Sequence, residues 1–90
     1  MSSGEDGQSP LVRWQDALAR TPALTSRERE VFRALGSGMS TADIATRLLV
    51  SQRTVKRHVG DIMEKLGLAS RLQVGIVASL TLVDRTHWMV

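Results

Sequence analysis

The feature that most constrains this chain is a pair of short amphipathic helix patterns, separated by a tight break, between residues 40 and 71. Apolar residues recur at helical spacing in both patterns, and they are Ile44, Ala45 and Leu48 in the first and Val55, Val59 and Ile62 in the second. With Val50 in the break, two such helices cross over one small core. The small side chain of Ala45 allows a close crossing in a densely packed interior. The segment therefore predicts a helix-turn-helix.

The second helix of this pair, predicted over about residues 51–66, is basic on the side opposite its apolar residues. The 3.6-residue period places five residues on that side, namely Gln52, Arg53, Lys56, Arg57 and Gly60. No Asp or Glu lies between Arg47 and Arg57, and the helix begins without an acidic residue. Its first amide groups and Ser51 can therefore meet a phosphate. A run of charge is commonly a solvated surface, but within a helix-turn-helix it indicates contact with DNA.

The composition favours duplex DNA over other partners. The 90 residues suffice for one small domain, and the chain has one Phe, two Trp and no Tyr. It therefore offers few aromatic rings on which RNA or single-stranded DNA could stack. The formal charge of +3 is modest, so the distribution of charge carries more information than its total.

Several classes of protein are disfavoured by what the sequence lacks. Without cysteine there is no disulfide framework and no thiolate metal site, which fits a cytoplasmic protein. No apolar run is long enough for a membrane span, and no export signal is present. His58 and His87 are too few and too far apart for a metal site or an acid-base pair, and we expect His58 to be a partly buried, hydrogen-bonded ring. We predict neither an enzyme nor a cofactor.

The residues before the helix-turn-helix include two segments of different character. Residues 1–9 are polar and small, which predicts disorder. Residues 10–23 are predicted to form a short accessory helix and linker, with Ser9 as a cap and Pro10 in the first turn. Trp14 on this helix is expected to pack onto the main domain, and an anchor for a partner protein is the alternative.

Capping residues predict where the next three helices begin. Thr25 and Glu28 form a capping-box pattern, in which each side chain accepts a hydrogen bond from the backbone amide of the other residue. The apolar residues of this helix are Val31, Phe32 and Leu35. Ser40 and Ser51 are the caps expected for the two helices that follow. Thr54 can either cap locally or contact phosphate.

A strongly apolar segment over about residues 70–80 predicts one more helix, after a helix end at Gly67. Its apolar residues, which exceed what one small core needs, are Leu72, Val74, Ile76, Val77 and Leu80. Gly75 costs about 1 kcal/mol relative to Ala inside a helix, but it lets a second helix come close. We expect two copies of the chain to form a dimer through this helix. A C-terminal tail over residues 82–90 is predicted to follow the helix.

Longer stretches of the sequence are similar to a known family. They are LTSREREVFRALGSGMS at 24–40, IATRL at 44–48, VSQRTVKRHV at 50–59 and KLGLASR at 65–71. Together they resemble the LuxR-type DNA-binding domain over about residues 24–81, with TVKRHV and KLGLASR as the most specific parts. LTSREREV also looks like sigma-factor region 4, but that family usually continues with Ser-Arg where this chain has His58-Val59.

The resemblance implies an all-α fold of four helices, here with a short extra N-terminal helix, and a third helix that enters the major groove. The base-reading positions of the family fall on Arg53, Lys56, Arg57 and Gly60, and Gln52 shares their face. Arg57 can grip guanine with two hydrogen bonds, and each good base contact contributes about 1–3 kcal/mol. Candidate phosphate contacts are Ser51, Thr54, Arg27, Lys65 and Arg71. Candidate dimer contacts are Leu72, Gly75, Ile76 and Ser79.

The sequence departs from the family pattern at positions near the recognition helix. Gly60 stands where the family often has a polar or basic residue, and it either deepens insertion into the groove or forfeits a contact. Asp61 stands where Asn is common, and it is placed to pair with Lys65 four residues later on the helix surface.

Two hypotheses follow from different classes of function. In the first, the chain is a sequence-specific transcription regulator that binds duplex DNA as a homodimer and also meets RNA polymerase. In the second, it is a protein-interaction module, in which the apolar last helix and the tail Trp88-Met89-Val90 dock a larger regulator. The sequence fits a stand-alone protein as well as the C-terminal domain of a longer one.

Overall fold

The computed structural model describes residues 10–89, with side chains over residues 14–82. Residues 10–89 contain five α-helices and one 3-10 turn. They are α1 (Pro10–Ala19), the 3-10 turn (Thr21–Ala23), α2 (Ser26–Gly36), α3 (Thr41–Leu48), α4 (Gln52–Leu66) and α5 (Arg71–Met89). The described residues contain no strand, and the prediction of an all-α fold with an extra N-terminal helix is confirmed. None of these helices is long and apolar enough to cross a membrane.

The two ends of the chain differ in how far the structure describes them. The segment predicted to be disordered, 1–9, lies outside the described residues, as does the expected cap Ser9. Of the C-terminal tail predicted over 82–90, the part up to Met89 continues α5, and Val90 lies outside the described residues. Turn residues such as Gly and Pro are absent after residue 80, so nothing in the backbone chemistry ends the helix there.

Helix ends are set by the caps that the sequence predicts. Thr25 and Glu28 form the full capping box, with distances of 3.1 Å from the Glu28 amide to the Thr25 hydroxyl and 2.9 Å from the Thr25 amide to the Glu28 carboxylate. The Ser40 hydroxyl accepts from the Asp43 amide at 3.1 Å. At the C-terminal end of α4, Gly67 adopts a left-handed conformation with φ of 70°. The hydrogen bonds of Thr25, Glu28 and Ser40 satisfy backbone groups that a helix end otherwise leaves without partners.

The core lies where α2 and α4 pack against α5. Its fully buried large side chains are Val31, Ile44, Val55, Ile62, Leu66, Val74 and Val77. Helices α2 and α5 approach closely at Gly36, where a Cβ atom would lie 2.8 Å from the carbonyl carbon of Ala78. The close crossing therefore depends on Gly36, whereas a Cβ at Gly75 would make only an ordinary contact of 3.6 Å with the Leu35 carbonyl.

Helix α1 is joined to this core on the side of α4 and α5. Ala17 is fully buried, and Trp14 lies half-buried against the core, as expected for a packing role. The Thr21 hydroxyl donates to the Leu18 carbonyl at 2.9 Å, which closes the end of α1 before the 3-10 turn. Helix α1 therefore packs against the same core as the helices that follow it.

Candidate nucleic-acid interface

The connection between α3 and α4 is a tight turn of three residues. Leu49 ends α3 in the left-handed region, with φ of 60° and ψ of 44°, and the residue is 90% exposed. The Val50 amide donates to the Ala45 carbonyl at 3.0 Å, and Ser51 caps α4. Ile44 on α3 and Val55 on α4 are both fully buried at the crossing. This is a helix-turn-helix, as the residue pattern predicts.

Helix α4 presents its polar side to solvent. The five residues of this basic face are all exposed, and they are Gln52, Arg53, Lys56, Arg57 and Gly60. Within residues 14–82, none of their side chains has a hydrogen bond or an ion pair. A Cβ at Gly60 would meet nothing within 4 Å, so the surface is open there. Three cations without internal partners are therefore available to an anionic ligand.

The first turn of α4 is held by its own side chains. The Ser51 hydroxyl accepts from the Thr54 amide at 3.0 Å and lies 3.0 Å from the Thr54 hydroxyl. Ser51 is exposed and Thr54 is half-buried. Thr54 thus takes part in local capping. Contact of either hydroxyl with phosphate stays a prediction.

The three other predicted phosphate contacts all have partners inside the domain. Arg27 pairs with Glu30 at 3.3 Å on the surface of α2. Arg71 donates to the Met39 carbonyl at 3.2 Å, which ties the start of α5 to the loop before α3. Lys65 donates to the Glu28 carboxylate at 2.8 Å. The exposed Arg27 and Arg71 keep further N–H groups for a phosphate, whereas Lys65 has its ammonium against a buried carboxylate.

The predicted surface pair between Asp61 and Lys65 is wrong. Lys65 instead reaches across to Glu28 on α2, whose side chain is only 6% exposed. A buried carboxylate needs a cation more than an accessible one does, because water no longer solvates it. Asp61 and Lys65 are four residues apart, so the sequence shows that they are neighbours on the surface of α4. The sequence does not show that Glu28 on another helix is the better partner for Lys65.

The electrostatics of Glu28 follow from this environment. Burial by itself raises the pKa of the Glu28 carboxyl, because desolvation disfavours the charged form. The hydrogen bond from Lys65, the bond from the Thr25 amide and the charge of Lys65 act in the opposite direction and prevail. The pKa of Glu28 therefore lies below its ordinary value of 4.5.

A shallow apolar groove runs between α5 and the end of α2. It has a volume of about 450 Å³, and the four predicted dimer residues, Leu72, Gly75, Ile76 and Ser79, all line it. Leu72 is 73% exposed, which is high for a leucine in a folded domain. The structure thus brings together on one surface the residues that the sequence assigns to a dimer.

Sequence reasoning missed one cluster behind the basic face. Glu28, His58 and Asp61 offer ligand atoms that all lie within 4.8 Å of one another. The ring of His58 is half-buried, but its Nδ1 atom is buried without a hydrogen-bond partner, so the expectation of a hydrogen-bonded ring fails at that atom. The spacing of His58 and Asp61 on one helix could have indicated the pair. The third member comes from another helix.

Comparison with known proteins identifies the type of domain. Residues 22–78, more than half of the chain, match the family described as bacterial regulatory proteins, luxR family. The chain belongs to the luxR family. Membership makes it a helix-turn-helix domain of a class of transcription regulators, which implies DNA binding, and this is not a family of enzymes.

Members of the luxR family that resemble this chain differ widely in length. The spore germination protein GerE of Bacillus subtilis is 46% identical over 52 residues, which are 58% of this chain and 70% of GerE. An HTH-type transcriptional regulator of Mycobacterium bovis is 52% identical over 52 residues, but the match spans only 6% of that protein. The transcriptional regulatory protein LnrK of Bacillus subtilis is 43% identical over 53 residues and is matched over 24% of its length.

Proposed function

We propose that this chain binds a specific sequence of double-stranded DNA as a bacterial transcription regulator, in the cytoplasm and without catalysis. The observation that carries the proposal is the basic face of α4, whose three cations have no internal partner. On α2, by contrast, the exposed Arg27 pairs with Glu30 along the helix at 3.3 Å. The cations of α4 instead face outwards together, without a carboxylate.

In this proposal α4 lies in the major groove and reads base edges through its exposed polar side. Arg57 is our main candidate for a bidentate contact with guanine, and Lys56 for a contact with guanine or phosphate. Arg53 and Gln52 lie one turn earlier, near the helix N-terminus. Gly60 adds no side chain to the interface, which supports a forfeited contact at that position.

Phosphate contacts position the helix but carry no sequence information. Ser51 and Thr54 at the N-terminus of α4 and the exposed guanidinium groups of Arg27 and Arg71 are the proposed contacts. We leave Lys65 out, because a phosphate would have to draw it from a buried carboxylate at 2.8 Å.

We further propose that two copies associate through α5 when they bind DNA. The support is the groove between α5 and α2, together with the exposed Leu72 at its edge. A two-fold dimer would present two copies of α4 to two half-sites, so the target would be an inverted repeat. RNA polymerase is the further partner proposed for a regulator bound beside a promoter.

Salt dependence of binding tests this function against the alternative of a protein-interaction module. Binding of the chain to duplex DNA, followed by fluorescence anisotropy, should weaken steeply between about 50 and 200 mM salt, because phosphate contacts release counterions. Arg57→Ala should weaken binding, whereas Arg33→Ala, which removes an exposed arginine of α2, should have little effect. Binding that ignores salt, or that both variants weaken equally, would contradict the proposal.

A further inference from the structure

We propose that Glu28, His58 and Asp61 form a binding site for a divalent transition-metal ion of the Zn²⁺ type. The three residues come from two helices, with Glu28 in the first turn of α2 and the other two near the middle of α4. Their ligand atoms all lie within 4.8 Å of one another, so one ion could reach all three after small side-chain movements. His58 and Asp61 are three residues apart, and this spacing places a carboxylate and an imidazole on one helix face, as in metal sites of helical bundles.

Two of the three groups lack partners that would otherwise compete for an ion. The Nδ1 atom of His58 is buried and has no hydrogen bond, although a buried polar atom in this state is unfavourable. The half-buried carboxylate of Asp61 has no hydrogen bond or ion pair with any other described residue. A cation held by a ring nitrogen of His58 and by the Asp61 carboxylate would give both side chains a partner.

The chemistry of the donors selects the class of ion. One imidazole nitrogen and two carboxylate oxygens suit Zn²⁺ and neighbouring ions such as Co²⁺, whereas Mg²⁺ and Ca²⁺ prefer oxygen donors alone. Three protein ligands also leave a fourth position of a tetrahedral ion for water.

Lys65 competes with the metal ion for Glu28 and thereby lowers the expected metal affinity. Its ammonium lies 2.8 Å from a Glu28 oxygen, so a second cation at Glu28 must displace it. Lys65 is 35% exposed, and its flexible stem lets the charge move into water. Metal affinity should therefore rise when Lys65 is replaced by Met, a change that removes the competing charge. A purely structural cluster would not acquire metal affinity from this substitution.

The test uses the untagged full chain and titrates it with Zn²⁺ by calorimetry and with Co²⁺ by visible absorption. We expect one ion per chain and a Co²⁺ spectrum of a four-coordinate site. Asp61→Asn should weaken binding at least about tenfold. Because Asp61 has no partner among the described residues, this variant should keep its fold, which thermal unfolding without metal would check. His87→Gln, the matched control at the second histidine, should bind as wild type does.

Further readouts separate this site from adventitious binding. The melting temperature of wild type should rise with Zn²⁺ but not with Mg²⁺, and that of Asp61→Asn should not rise. The imidazole resonances of His58 should shift on addition of Zn²⁺. Failure of wild type to bind Zn²⁺ more tightly than Asp61→Asn does, or loss of binding in His87→Gln, would overturn the proposal.

Discussion

The ammonium of Lys65 lies 2.8 Å from a carboxylate oxygen of Glu28, 37 residues earlier in the chain. The same Glu28 carboxylate accepts the backbone amide of Thr25 and thereby closes the cap of α2. One buried acid thus fixes the start of α2 and links it to the last turn of α4. Helix α4 is consequently oriented by a charged contact as well as by its apolar side.

Replacing Glu28 should show what this contact contributes to stability. Glu28→Gln keeps the size of the side chain and an oxygen for the Thr25 amide, but it removes the charge that faces Lys65. We expect the free energy of unfolding in urea at neutral pH to fall by roughly 1–3 kcal/mol. Glu30→Gln is the matched control, since the exposed pair of Glu30 with Arg27 should contribute less than about 1 kcal/mol. Equal losses in the two variants would contradict the assigned role.

The pH dependence of the same contact has a defined sign. Because the pKa of Glu28 is lower in the folded chain than its ordinary 4.5, the charged carboxylate favours folding. Its contribution is complete above the unfolded pKa and is lost as the pH falls through the folded pKa. The difference in unfolding free energy between wild type and Glu28→Gln should therefore be full at neutral pH and shrink below 4.5. A difference that grows on acidification would show that the sign is wrong.

A pair of glycine substitutions tests the crossing of α2 and α5. A Cβ at Gly36 would lie 2.8 Å from two atoms of Ala78, one of them backbone, so Gly36→Ala must push the helices apart. We expect a loss of about 1–3 kcal/mol. Gly75→Ala, on α5, should instead stabilise the chain by about 0.5–1 kcal/mol, because its Cβ has room and alanine favours the helix. Urea unfolding at low protein concentration would measure the unfolding free energy of both variants. A gain in stability for Gly36→Ala together with a loss for Gly75→Ala would contradict the packing described.

Among the described residues, Leu49 is the non-glycine residue with a positive φ. Replacing Leu49 by glycine should therefore stabilise the turn between α3 and α4. The left-handed conformation costs an L-residue about 1–2 kcal/mol, and part of the relief is offset by the greater freedom of glycine in the unfolded chain. We expect Leu49→Gly to raise the unfolding free energy by about 0.5–1 kcal/mol. Leu49→Ala removes the same exposed side chain without relieving the backbone, so its melting temperature should stay close to that of wild type.

Local patterns were sufficient to predict most of the fold. The capping box at Thr25 and the caps at Ser40 and Ser51 depend on residues three positions apart, and the structure contains all three. The apolar faces of α3 and α4 depend on the helical period in the same way. Such features are visible in a sequence because both partners lie within one turn of helix.

Features that join distant segments could not be predicted. The partner of Lys65 is 37 residues away in the sequence. Helices α2 and α5 approach each other closely at Gly36 and not at Gly75, and which glycine faces a neighbouring helix is known only once the helices are packed. The cluster of His58 with Glu28 was missed for the same reason. The continuation of α5 to Met89 has another cause, since its sequence has helix-compatible residues after residue 80 without a strong stop.

In the proposed function, α4 reads a specific DNA sequence through Arg57. The most direct test selects binding sites from a randomised duplex pool at about 150 mM salt, with wild type beside Arg57→Ala and the control Arg33→Ala. We predict that wild type and the control enrich the same inverted repeat, and that Arg57→Ala relaxes the preference at one base pair in each half-site. Failure of wild type to enrich any sequence, or an unchanged pattern in Arg57→Ala, would contradict the account.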